Sequence, residues 1–97
     1  MYLSTTAQND TATLIAKWVR ENMIGHSAVA TEVGRAGYPD AAVVAIAKDG
    51  ETTCTAKVAV HHNRVVYVSK LGAHISYPIA FRDAGRIIGG FLSLEEN

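Results

Sequence analysis

The side chains best suited to chemistry in this chain are its four histidines, His26, His61, His62 and His74, of which only His61 and His62 are clustered. Imidazole is the commonest metal ligand and the usual proton carrier near neutral pH. A zinc site needs three or four ligands in a tetrahedral array, yet neighbouring residues of a strand project to opposite faces. His61 and His62 therefore make no site by themselves. His74 can approach them on a return strand, but Cys54 belongs to the strand before. The expectation is two solvated turn histidines, no metal and no cofactor.

Cys54 is the only cysteine, so the chain forms no internal disulfide and a reducing compartment is expected. As a nucleophile it would need a base beside it and a depressed pKa. Its place in the alternation Cys54, Ala56, Val58, Val60 predicts instead a small hydrophobe of a central strand. Ser-x-x-Lys, Gly-x-Ser-x-Gly and Gly-x-x-x-x-Gly-Lys do not occur, which removes common nucleophile and phosphate-loop signatures. A metal-dependent nuclease built on Asp40 would need a second acid two residues before a lysine. Lys57 is preceded there by Thr55. No enzyme is expected.

These residues must be held by a small number of elements. Asn9, Asp10 or Thr11 can cap a helix in which Leu14, Ile15, Trp18, Val19 and Met23 recur at helical spacing, and Gly25 can end it. Residues 27–34 read equally as a short strand, with Val29, Thr31 and Val33 on one side, or as a short helix capped by Ser27. Residues 41–70 read as a meander. The apolar run Ala42–Ala47 leads through Asp49-Gly50 into the alternating strand, which turns at His61–Arg64 and returns as Val65–Val68. Asn63 tolerates a left-handed turn conformation. Pro78 suits the first turn of a closing helix, whose apolar face runs through Ile79, Ala80, Ala84, Ile87, Ile88, Phe91 and Leu92.

The expected fold is α+β: a two-layer sandwich, with an antiparallel meander of three or four strands and the N-terminal and C-terminal helices packed on one face. Its 97 residues form one domain, with 1–8 and 94–97 flexible. Nine basic and nine acidic residues balance to zero formal charge, which gives no support to nucleic-acid binding or to DNA mimicry. The N-terminus has neither a basic nor an apolar signal region, and no apolar run approaches the ~18 residues of a membrane span, so a cytoplasmic protein is expected. At 48% hydrophobic and 19% charged, the chain has apolar surface to place, and a homo-oligomer would place it.

Residues 28–48 superficially resemble a helix-turn-helix, with Ala30 and Gly34 at its turn and a hairpin following as a wing. Its phosphate contacts would be Arg35, Lys48, Lys57 and Arg64. The would-be recognition helix, Asp40–Lys48, is apolar all round, whereas such a helix must offer polar groups to base edges. The order of elements also resembles a double-stranded-RNA-binding domain, but the second helix carries only Arg82 and Arg86 where that family has a lysine cluster.

The sequence thus points to a small non-enzymatic protein-binding module, an inhibitor, adaptor or accessory regulator acting as a homodimer. A winged-helix DNA-binding regulator is the alternative. The expected partner surface is the hairpin tip, His61, His62, Asn63 and Arg64, with Tyr67 beside it, Tyr and Arg being frequent interface anchors. His74 and Tyr77 form a second surface. Gly85 and Gly89, one turn apart on the last helix, would admit a close backbone and form the oligomer contact.

Overall fold

The computed structural model describes residues 2–35, 37–72, 74–78 and 84–96. Helix α1 (Thr5–Asn22) leads into five strands, β1 (His26–Thr31), β2 (Ala42–Lys48), β3 (Ala56–Val60), β4 (Arg64–Ser69) and β5 (His74–Pro78), and helix α2 (Ala84–Glu96) closes the chain. The strands form one antiparallel sheet in the order β1-β2-β3-β4-β5. The α+β meander with two terminal helices is as expected, with five strands in place of three or four.

Helix α1 begins earlier than the capping residues at 9–11 suggest. Ser4 is the N-cap, its hydroxyl accepting from the Ala7 N–H at 3.1 Å, so residues 5–8 are helical. Of the several capping side chains in "STTAQND", the first one serves. Thr11 and Thr13 keep their hydroxyls bonded within the helix, donating to the Ala7 and Asn9 carbonyls. The buried stripe is Gln8, Thr11, Ala12, Ile15, Ala16 and Val19. Leu14, expected inside, is 54% exposed.

Residues 26–31 settle as strand, which makes β2 an interior strand. Residues 42–48 are strand, so the helix that the helix-turn-helix resemblance placed at Asp40–Lys48 is not formed. Pro78 ends β5 and does not open a helix, and the expected helix start at Ile79 and Ala80 lies outside the described residues. Period two then divides the sheet. Ala28, Val44, Ile46, Ala56, Val58, Val60, Val65 and Tyr67 face the helices and pack with Ile15, Val19, Ile88 and Leu92 in one core.

The edge at β1 is covered in part, since the Arg20 guanidinium donates to the Ala28 carbonyl at 2.9 Å. Covering an edge in this way limits pairing with a second chain. No described helix is long and apolar enough to cross a membrane.

Candidate functional site

Both helices lie on the inner side of the sheet, so the opposite, outer face carries the site. Register places two rows of side chains across it: Thr31, Val43, Ala59, Val66 and Ser76, and beside them Val29, Ala45, Lys57, Val68 and His74. These rows surround a cavity of about 370 Å³ lined by Val43, Ala59, Val66, Val68, Ser76, Lys57, His61, Arg64, His74 and Tyr38. The floor is aliphatic and the polar groups stand around it.

Tyr38 comes from the loop between β1 and β2, and helix α1 sets where that loop runs. The Asn9 side chain accepts from the Val33 N–H at 2.9 Å. Buried Gln8 donates to the carbonyls of Asp40 at 2.9 Å and Val60 at 3.0 Å, which ties the loop's far end to the end of β3. The Gly34 N–H donates to the Tyr38 carbonyl at 3.1 Å. Gly34 and Gly37, at φ +85° and +81°, take the positive dihedrals this path requires. Beside the main cavity is a smaller one of about 200 Å³, lined by Tyr38, Cys54, Ala56, Lys57, Val68, Ser69 and Lys70.

The hairpin quartet divides. The His61 N–H donates to the Arg64 carbonyl at 2.9 Å, closing the turn, and both side chains line the cavity. His62 points elsewhere, stacked on Tyr2 with ring centroids 5.1 Å apart and planes 13° from parallel. Its carbonyl accepts from the Leu3 N–H, so His62 is tied to the N-terminal residues while remaining exposed. Asn63 is exposed at the tip and does not use the left-handed region, since no described residue other than glycine has positive φ.

Tyr67 is a correction. It is 0% exposed on the inner face, its ring 5.3 Å from that of Phe91, because one step along a strand reverses the side chain's direction. His74 reaches the cavity from β5. Tyr77 pairs with Val65, and its side chain lies outside what is described. Gly85 and Gly89 do admit a close neighbour, but it is Trp18 of the same chain. A Cβ on Gly85 would lie 2.6 Å from the Trp18 Cβ, and one on Gly89 would lie 2.3 Å from its Cζ3. The stripe is filled internally and is not free for a second copy.

Cys54 also differs from expectation. β3 starts at Ala56, which leaves Cys54 half-buried in the preceding loop beside the smaller cavity. His61 and His74 share the larger cavity, but no described group of three or more His, Cys, Asp or Glu is placed to hold a metal ion.

No family model, no curated protein and no solved structure matches this chain. The site is accordingly read from its own chemistry.

Burial holds the His61 pKa below the ordinary 6.5, with the positive charges of Arg64 and His62 adding to the effect and Asp40 opposing it. Between that lowered value and 6.5 the unfolded chain binds more proton than the folded one. His61 therefore makes stability rise with pH through this window, and the gain is complete above it. Replacing Arg64 by Gln removes one of the depressing charges. NMR titration of the His61 ring should show its pKa rise in Arg64→Gln yet stay below 6.5, because burial, the larger cause, remains.

Proposed function

We propose that the protein is a non-catalytic protein-binding module, an inhibitor, adaptor or accessory regulator, whose working surface is the outer face of the sheet. The observation that carries this is one-sided packing. Five strands form a sheet whose inner face is sealed by the helices, while its outer face keeps Val29 63% exposed and, in the lining of an aliphatic cavity, Val68 42% exposed. An antiparallel sheet with one solvated face normally alternates apolar-in and polar-out. Here valine and alanine occupy much of the outward set, as expected of a surface meant to be covered.

Catalysis has less support. Among the described residues, no hydrogen bond links Ser76, His61 or His74 into a nucleophile–base pair, and Cys54 opens on the neighbouring cavity with Lys57 and Lys70. The hairpin tip contributes through His61 and Arg64, which share the cavity, more than through His62.

The test is affinity capture from the organism's own extract with wild-type and Val68→Asp baits. Val68 is half exposed and bears no core contact, so the variant should keep its thermal midpoint within a few degrees. It should lose the captured partner, because a carboxylate placed on the apolar floor must be desolvated on docking. Identical capture by a folded Val68→Asp bait would refute the assignment of this face. Light scattering on the same samples reads self-association directly.

A further inference from the structure

We infer that the outer-face cavity is a carboxylate-recognition pocket, built to take an Asp or Glu side chain of a partner protein together with an apolar neighbour. This rests on the proposal that the face is a docking surface, and it adds the chemistry of the occupant.

The charges around the cavity are of one sign. Lys57 and Arg64 bring two basic side chains to the lining, with His61 and His74 beside them, and no described Asp or Glu lines the cavity. Three exposed cations elsewhere have an acid within reach, Lys17 with Glu21, Arg35 with Glu32 and Lys70 with Glu51. Among the described residues Lys57 and Arg64 have no such partner. Asp40 acts on His61 but stands outside the lining. In a chain of zero net charge, two unpaired cations beside an aliphatic floor form a local field that overall composition hides.

A second copy fits this field poorly. In a two-fold contact the same patch meets itself, which would bring one basic patch against another with no outward-facing acid on the paired strands to offset them. Like charges brought together in an interface cost several kcal/mol. A nucleic-acid duplex presents phosphates but keeps its bases stacked, and offers little aliphatic surface to cover Val43, Ala59, Val66 and Val68. An acidic side chain flanked by a leucine or valine satisfies both halves: the carboxylate can take a forked pair of bonds from the Arg64 guanidinium, and the aliphatic group covers the floor. A bound carboxylate would also offset the Arg64 and His62 charges that add to burial in lowering the His61 pKa, so binding and the protonation of His61 should be coupled.

The experiment is an NMR titration of the labelled full chain with capped heptapeptides carrying a central Glu between leucines, with the Gln isostere, and with a short DNA duplex. The Glu peptide should shift amides around Lys57, Arg64, Val66, Val68 and His74. It should bind about tenfold or more tightly than the Gln peptide, the scale of a charge-assisted bond, and raise the His61 pKa. In Lys57→Met/Arg64→Met, whose exposed side chains leave the core untouched, the preference for Glu should vanish. Equal binding of the two peptides, no response to either, or a preference for the duplex overturns the carboxylate pocket. Loss of capture by the Val68→Asp bait would then still support the docking face. Capture unchanged in that bait removes the face itself.

Discussion

Gly85→Ala and Gly89→Ala should each lower the thermal midpoint of this protein, whereas Gly90→Ala should raise it. All three glycines lie within α2, where glycine costs ~1 kcal/mol relative to alanine, so propensity alone would make every one of these changes stabilising. Packing reverses the sign at two of them. At Gly90 an added Cβ meets nothing within 4 Å, and a gain of about 0.5–1 kcal/mol is expected, a rise of several degrees for a domain of this size. At Gly85 the new methyl would stand 2.6 Å from the Trp18 Cβ. That atom is fixed to the backbone of α1, so relief requires the helices to part, at a cost of about 1–3 kcal/mol for overpacking. At Gly89 the obstacle is the far edge of the indole, 2.3 Å away at Cζ3, which yields by rotating the ring. Gly85→Ala should therefore be the more damaging of the two. A double-mutant cycle separates them. Trp18→Ala removes the ring that Gly89→Ala strikes, so the penalty at 89 should disappear in that background. The penalty at 85 should persist in part, since alanine keeps the Cβ at 2.6 Å while removing the Cγ at 2.7 Å. Chemical denaturation of the four single variants and two doubles reads the whole set, and equal coupling at 85 and 89 would contradict the packing described.

The same pair of glycines shows how far a sequence reaches. Their spacing announces a close approach, and the close approach exists. Which element makes it depends on the crossing of α1 over α2, and Trp18 gives no local sign of where its ring will lie. Strand β2 was legible because Ala42–Ala47 is apolar at every position, the composition of a strand shielded on both faces, while its interior place depended on whether the preceding residues would pair as strand β1. Strand β5 was legible in principle, as His74 and Ser76 alternate with Ile75, but Pro78 is equally at home at a helix start and masked the pattern. The cavity was not legible. Its wall at Tyr38 depends on Gln8 reaching the carbonyls of Asp40 and Val60, the latter 52 residues away in sequence, and no local pattern encodes a contact of that kind. Sequence position groups His61 and Arg64 at the hairpin tip and sets His74 on a second surface, and the register of β4 and β5 brings His74 to the same cavity.

Tyr67→Ala should cost about 3–5 kcal/mol, the usual scale for removing a buried aromatic ring. That is a large share of the ~5–15 kcal/mol available to a small domain, so the variant should be extensively unfolded well below the wild-type midpoint. Tyr67 is the largest of the fully buried side chains, and it bridges the sheet to α2 through Phe91. Its loss would leave a cavity between layers that two helices and a sheet cannot readily close. The neighbouring positions provide the control. Val66→Ala and Val68→Ala, on the outer face of the same strand, remove groups that touch solvent and should each cost less than about 1 kcal/mol. Circular dichroism melts of the three variants measure this alternation, and comparable losses at 66, 67 and 68 would mean that the two faces are not distinct. The contrast bears on function as well as on stability. An aromatic residue next to a suspected contact surface invites assignment to that surface, but in a strand adjacency means opposition. The residue that steadies the fold and the residues offered to a partner here share one strand. Only the parity of their positions tells them apart, so substitutions at even numbers from 64 to 68 should alter binding while those at odd numbers alter folding.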